Sequence, residues 1–121
     1  MVNATLRLRI LHICYDEEPL LVRGKLLRTQ GYSVQSVFGN EAAKFLLGST
    51  TMYDLFIVGH AAPKEVRLEM AHWLRANYPT IRIVALNPPQ CERLDELRYN
   101  APYDEPDLWL PLVEAAVGGQ S

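Results

Sequence analysis

The sequence lacks the features that mark secreted, membrane and nucleic-acid-binding chains. Its 121 residues include two cysteines, Cys14 in an apolar run and Cys91 in a polar one, a pattern that argues against a disulfide framework or a zinc site. There is no signal-peptide core, and no apolar run approaches the roughly 20 residues that span a bilayer. The formal net charge of -2 leaves no basic footprint for nucleic acid or a membrane surface. These absences predict a cytoplasmic protein without a membrane span and without a nucleic-acid partner.

The bulk composition is that of an ordinary globular domain. Hydrophobic residues make up 49% of the chain and charged residues 21%, which is enough apolar material for one compact core. The length is close to the commonest size of a single domain. We therefore expect one domain over residues 1–121, with its core at about 6–117 and a disordered tail at 118–121.

Apolar runs and helical patterns alternate along the chain. The predicted strands cover 8–15, 32–38, 55–58, 81–86 and 101–103, and the predicted helices cover 19–30, 41–47, 63–77 and 108–117, with a short polar helix within 90–98. Strands that alternate with helices in this way build a parallel sheet with helices on both of its faces. The sequence therefore predicts an α/β fold.

Turn and capping residues support these boundaries. Pro19 suits the first position of the first helix, where its missing N–H costs nothing, and Gly31 can take the left-handed conformation that ends this helix. Asn40 is the predicted cap of the second helix. On the third helix, Val66, Met70, Trp73 and Asn77 are predicted to form one stripe.

Five segments, in order, resemble the receiver domain of two-component response regulators. They are ILHICYDEEP at 10–19, LLRTQGYSV at 26–34, YDLFIVGHAAP at 53–63, IRIVALNPP at 81–89 and APYDEP at 101–106. The resemblance covers nearly the whole chain. It implies a flavodoxin-like, doubly wound sheet of five parallel strands in the order 2-1-3-4-5, with helices on both faces.

The resemblance also assigns positions in the family's phosphorylation pocket. Asp16 and Glu17 match the acidic pair that helps to hold Mg²⁺ in receivers. Gly59 stands where the phospho-acceptor aspartate is expected. The hydroxyl residue that senses the phosphoryl group is replaced by Asn87, and the conserved lysine is matched to Glu105, before Pro106. Only the acidic pair keeps the family's chemistry.

These replacements argue against phosphoryl transfer. A receiver accepts the phosphoryl group by in-line attack of a carboxylate, while Mg²⁺ and a lysine neutralise the equatorial oxygens. Glycine has no nucleophile, and glutamate in place of lysine would repel the group. We therefore expect a chain that is not an enzyme, that binds Mg²⁺ weakly at most, and that needs no other cofactor.

The resulting hypothesis is a stand-alone, atypical receiver that works through protein–protein contacts with a histidine kinase or an output protein. Two alternatives stay open. One is a receiver phosphorylated weakly at a non-standard residue. The other is a small flavodoxin-like ligand-binding domain or enzyme, although the loop after the first strand is acidic and lacks the glycines of a phosphate cradle.

Three further residues have a bland interpretation beside a functional one. Cys14 lies within a strand, which is typical of a small buried hydrophobe rather than a redox sensor. His12 shares its face of that strand, but a metal pair there would need more ligands. His60 could accept phosphate or sense pH, and a loop residue is the simpler interpretation.

The last helix carries two apolar stripes. Leu110, Val113 and Val117 are predicted to face the sheet. A neighbouring stripe is either a further part of a wide buried arc or an exposed patch for a partner. In receivers the usual dimer or target surface is the face of helix four, strand five and helix five, which favours the exposed patch and a homodimer through it. The predicted partner surface consists of Trp109, Leu112 and Ala116.

Overall fold

The computed structural model describes residues 8–49, 52–88 and 93–118. The strands are β1 (Arg9–Cys14), β2 (Ser33–Phe38), β3 (Leu55–Val58), β4 (Arg82–Asn87) and β5 (Tyr99–Pro102). The helices are α1 (Glu17–Thr29), α2 (Asn40–Leu47), α3 (Lys64–Asn77) and α4 (Pro106–Gly118). Among the residues described, none of the helices has the length and apolar character that a membrane crossing requires.

All five strands belong to one parallel sheet in the order β2-β1-β3-β4-β5. The predicted flavodoxin-like order 2-1-3-4-5 is therefore confirmed. Its central strand β3 is completely buried along its length, as expected for a parallel strand covered on both faces.

The helices divide between the two faces of the sheet. Leu11, Ile13 and Phe56 point to the face where α2 and α3 pack, and Ile10 and Ile57 point to the face covered by α1 and α4. Successive residues of a strand alternate in this way because the pleat sends side chains to opposite sides. His12 and Cys14, in phase with Ile10, therefore face α1.

The helix starts differ from the prediction by a few residues. α1 begins at Glu17 because Asp16 caps it, accepting a hydrogen bond from the Glu17 amide at 2.8 Å. Pro19 is consequently the third residue of the helix rather than the first. Gly31, with φ of 98°, takes the predicted left-handed conformation after α1.

Asn40 is not the cap of α2. Gly39 occupies the cap position, and Asn40 is the first helical residue. The Asn40 side chain reaches away from the helix: it accepts from the Tyr15 hydroxyl at 2.6 Å and donates to Glu69 at 2.8 Å. It therefore ties the end of β1 to α3, a tertiary role that a local capping rule does not detect.

The predicted short helix within 90–98 is not seen in residues 93–98, and its first part lies, with Cys91, outside the described residues. The segment before β5 is instead held by Asn100. Its side chain donates to the carbonyls of Leu94 and Leu97 at 3.1 and 2.8 Å and accepts from the Leu94 amide at 3.2 Å. Leu94 and Leu97 are buried as a result.

The predicted exposed patch on the last helix is wrong. Trp109 is 2% exposed and Ala116 is fully buried, and both pack with Val113 against the sheet. Leu112 is half-buried on the same cluster. The wide buried arc is therefore the correct interpretation of α4. The homodimer through this face stays a prediction, but the buried Trp109 and Ala116 cannot form its contact surface.

Candidate functional site

The candidate site lies at the carboxyl edge of the sheet, around Gly59. This residue directly follows β3, and its amide donates to the carbonyl of Ile13 at 2.8 Å, so it lies beside the end of β1. Asn87, the last residue of β4, is 2% exposed. The topology thus brings the two replaced positions to adjacent strand ends, as the resemblance implied.

Gly59 leaves little room for a side chain. A Cβ atom there would lie 3.1 Å from the Ile13 carbonyl oxygen and 3.3 Å from Nη1 of Arg23. The nearest side chain is therefore a cation. The guanidinium of Arg23 therefore occupies the space around the expected acceptor position. The resemblance alone would place acidic groups and a metal ion there.

Arg67 of α3 joins Gly59 to Asn87. Its Nε donates to the Gly59 carbonyl at 2.8 Å, and its Nη2 donates to the Leu86 carbonyl at 3.0 Å and to Asn87 Oδ1 at 2.5 Å. The side chain is fully buried. Asn87 passes the connection on through its Nδ2, which donates to Asn100 Oδ1 at 2.9 Å. The switch position is thus held by fixed hydrogen bonds.

Arg23 of α1 enters the same region from the other face of the sheet and is 5% exposed. Its Nη1 lies 3.3 Å from His12 Nε2 and donates to Cys14 Sγ at 3.9 Å, and its Nη2 lies 3.3 Å from His60 Nδ1. The His60 ring stacks on Tyr103, with centroids 3.5 Å apart and the planes 9° from parallel. Arg23 therefore links β1 to the loops that follow β3 and β5.

Cys14, His12 and Ser36 are linked by hydrogen bonds in an arrangement that resembles a cysteine nucleophile, its histidine base and a residue that orients the base. Cys14 Sγ lies 2.9 Å from His12 Nε2, and His12 Nδ1 lies 2.9 Å from Ser36 Oγ. Because the Arg23 guanidinium can only donate, Nε2 accepts and the imidazole proton resides on Nδ1. However, Cys14 is 1% exposed and burial raises its pKa to about 11. The thiol stays protonated and out of contact with substrate, and the predicted burial of Cys14 is confirmed.

Both histidines near Arg23 are held neutral. Burial, reinforced by the charge of Arg23, lowers the pKa of His12 to about 3. The pKa of His60 falls to about 4 because of burial and the charges of Arg23 and Arg67. At neutral pH, Arg23 therefore carries the one positive charge among these three side chains, and the imidazoles of His12 and His60 are uncharged.

The depressed pKa of His12 predicts an acid-sensitive fold. Its pKa lies below the ordinary 6.5, so the unfolded state binds the proton first as the pH falls. The contribution is fully present above pH 6.5 and is lost progressively toward pH 3. At pH 5 the loss amounts to on the order of 2 kcal/mol.

Urea unfolding of the wild type and of His12→Gln at pH 7 and pH 5 measures this effect. The variant should lose less stability than the wild type between the two pH values, even if it starts from a lower value. His72→Gln, which removes an exposed imidazole that contacts Glu96, is the control for the loss of a histidine at the surface. Equal losses in the wild type and His12→Gln would show that His12 does not carry the acid sensitivity.

The residues present do not fit the Mg²⁺ that the resemblance implies. Asp16 is exposed and its Oδ1 caps α1. Glu17 is exposed as well, and Gly59 supplies no carboxylate. Within the described ranges there is no group of three or more histidine, cysteine or acidic side chains that could hold a metal ion. Mg²⁺ needs near-octahedral oxygen ligation, and here the neighbouring charge is the Arg23 guanidinium.

Glu105 is not at the end of strand five. β5 ends at Pro102, and Glu105 lies three residues further on, exposed, where its carbonyl accepts the Leu108 and Trp109 amides at 2.8 and 3.1 Å. The residues at the strand end are Ala101 and Pro102. Glu105 thus lies in the turn between β5 and α4, and its match to the family's lysine stays a prediction.

Sequence reasoning missed the two buried arginines. Arg23 and Leu27 share one face of α1, four residues apart, and Arg67 precedes Met70 and Leu74 on the buried stripe of α3. An arginine in phase with an apolar stripe was the available signal. The predicted stripe of α3 began at Val66, one residue too early, and so did not include Arg67.

No protein family profile matches the chain, and no curated protein matches it. Solved structures do match, and several of them are receiver domains or response regulators. A signal receiver domain of an HD domain-containing protein from Pseudomonas fluorescens Pf-5 is 20% identical, with 94% of this chain and 97% of that chain covered and a TM-score of 0.79.

A response regulator receiver domain protein from Methanospirillum hungatei JF-1 is 14% identical over 94% of this chain and 96% of its own, with a TM-score of 0.76. The third match comes from a complex of histidine kinase ThkA with response regulator protein TrrA of Thermotoga maritima. It is 21% identical over 90% of this chain and 97% of that one, with a TM-score of 0.75. The protein has the CheY-like fold of response regulator receiver domains.

Proposed function

We propose that the protein is a degenerate receiver module that acts in two-component signalling through protein–protein contacts and does not accept a phosphoryl group. The observation that carries this proposal is the pocket at Gly59. The residue that follows β3 has no nucleophile, and the nearest side-chain atom to a Cβ placed there is Arg23 Nη1, at 3.3 Å. Phosphoryl transfer to an aspartate needs a carboxylate and a metal at this point.

The hydrogen bonds of Arg67 support the same conclusion. In a switchable receiver the residue at the end of the fourth strand moves toward the phosphoryl group, and the resemblance places Asn87 there. Arg67 holds Asn87 Oδ1 and the Gly59 carbonyl together. Rearranging Asn87 would leave buried polar groups unpaired, at about 1–3 kcal/mol for each. The module is thus built to keep one conformation.

The partners we propose are a histidine kinase or an output protein of a two-component pathway. The receiver fold supports this class, as does the occurrence of this fold in a complex of a kinase with its regulator. A module held in one state would bind its partner with the same affinity whether or not a phosphate donor is present. The contact surface itself is not assigned to the Trp109 stripe, since that stripe is core.

Incubation with acetyl phosphate and Mg²⁺, followed by intact-mass measurement, tests the proposal. We expect an unlabelled protein, because no carboxylate follows β3. A phosphorylatable receiver treated in parallel serves as the control for the donor. A stoichiometric gain of one phosphoryl group contradicts the proposal, and mapping the label would then identify the non-standard acceptor.

A further inference from the structure

A cleft opens between α1 and the start of α4, on the face of the sheet that Arg23 occupies. Its volume is about 340 Å³, which suits a small organic molecule. The wall has apolar parts from both helices and polar parts from the loops that follow β1, β3 and β5. The lining includes Asp16, Glu18, Arg23, His60, Asp104 and Trp109.

Arg23 is the buried charge in this wall. Its side chain is only 5% exposed. It contacts the neutral rings of His12 and His60 and the thiol of Cys14. Among the ion pairs of the described residues, none includes Arg23. A buried cation without a carboxylate is costly. An anionic group brought into the cleft would offset that cost.

Trp109 forms part of the opposite wall, on α4. It also lines the cleft, it is 2% exposed, and its indole Nε1 has no hydrogen-bond partner in the part of the chain that the structure describes. Buried N–H groups in folded proteins nearly always have a partner. The indole N–H itself is buried, so Arg23 is the donor that a ligand in the cleft would meet, and a planar carboxylate matches its guanidinium fork especially well.

The rim of the cleft restricts the rest of the ligand. Asp16, Glu18 and Asp104 line it and are exposed, so three carboxylates face one guanidinium. A nucleotide or another polyanion would be repelled by this rim. A ligand with a single carboxylate and an ammonium group would be attracted at both ends, with the carboxylate inward and the ammonium at the rim.

We propose that this cleft binds a small zwitterion, of which a free amino acid with an apolar side chain is the simplest example. Arg23 receives the carboxylate, and Asp104 and its neighbours at the rim receive the ammonium group. The apolar side chain rests on the walls that α1 and α4 provide. The cleft shares Arg23 with the pocket at Gly59, but ligand binding requires no phosphoryl transfer, so either proposal can fail without the other.

The two indole N–H resonances provide the test. The chain has two tryptophans, Trp109 at the cleft and Trp73, which packs with the core on the opposite face of the sheet. Free leucine, N-acetylleucine and leucinamide are titrated into the labelled full chain and followed by ¹H–¹⁵N NMR. We expect a saturable shift of the Trp109 indole with leucine, a weaker response with each derivative, and no response of the Trp73 indole.

Two variants and one control complete the experiment. Arg23→Gln should weaken leucine binding at least about tenfold, the range for a charged hydrogen bond. Asp104→Asn changes an exposed residue and keeps the fold intact; it should weaken the binding of leucine but not that of N-acetylleucine. Lys25→Gln removes an exposed charge from the same helix outside the cleft and should leave binding unchanged.

The following results would overturn the proposal. One is the lack of a saturable Trp109 shift with all three compounds at tens of millimolar. Another is an unchanged affinity for leucine in Asp104→Asn, which decides the matter even if Arg23→Gln does not fold. Tighter binding of pyrophosphate than of leucine would show that the cleft prefers anions in general.

Discussion

Trp109→Ala is expected to cost about 3–5 kcal/mol of unfolding free energy, as large aromatic truncations in well-packed cores do. Trp109 is 2% exposed and packs in the cluster that α1 and α4 form with the sheet. Removing the indole takes away its contacts with this cluster, which includes Val113 and Ala116, and leaves space that the surrounding structure closes only in part. Urea unfolding followed by circular dichroism measures the loss.

Leu108→Ala is the matched control for this change. Leu108 is the preceding residue of α4 and is 51% exposed, so its truncation should alter the free energy of unfolding by no more than about 0.5 kcal/mol. Similar small losses for both variants would mean that Trp109 lies at the surface. The exposed partner patch of the sequence-based prediction would then be restored.

Arg67→Met should also destabilise the protein strongly, by about 3–5 kcal/mol, which is the range for breaking a buried polar network on one side. The variant removes the donor that the structure gives to the Gly59 and Leu86 carbonyls and to Asn87 Oδ1. Methionine has a similar length but no hydrogen-bond donor, so these buried acceptors lose a partner.

Arg75→Met on the same helix α3 separates this effect from the loss of any arginine. Arg75 is exposed and donates to the Glu96 carbonyl at 3.3 Å; its replacement should cost less than about 1 kcal/mol. Hydrogen exchange of the Asn87 and Gly59 amides should accelerate in Arg67→Met and not in Arg75→Met. Unchanged stability of Arg67→Met would show that the arginine does not hold the pocket together.

The strand order could be predicted from the sequence because it depends on a strong and repeated signal. Buried runs such as Leu55–Val58 alternate with helical patterns, and this alternation admits few topologies. Gly59 was placed correctly at the strand end for the same reason. Such features depend on local composition and on the order of segments, both of which a single sequence contains.

The interior of the site could not be predicted, because it depends on the rotation of each helix. In α4, Trp109 and Leu112 are as apolar as Leu110 and Val113, so periodicity alone could not choose the buried stripe. In α3 a rotation by one residue decides whether Arg67 lies in solvent or in the core. Packing against the sheet makes that choice, and composition does not record it.

The charge of the pocket at Gly59 could not be predicted from the sequence. Asp16 and Glu17 suggested a weakened metal site, since carboxylates at a strand end are ordinary Mg²⁺ ligands. The structure adds Arg23 from α1 at the point where a side chain of residue 59 would begin. That cation comes from a distant part of the chain, and its approach follows from the way in which α1 packs on β1.

A titration with Mg²⁺ and beryllofluoride, a mimic of the phosphoryl group, tests the central claim most directly. The ¹H–¹⁵N spectrum of the protein reports on Gly59, Asn87 and the Arg23 side chain at once. We predict that neither Mg²⁺ alone nor Mg²⁺ with beryllofluoride shifts these resonances in a saturable way at millimolar concentrations. A saturable shift centred on Gly59 and Asn87 would contradict the claim. It would show that a metal and a phosphoryl mimic enter the pocket in which our account places the side chains of Arg23 and Arg67.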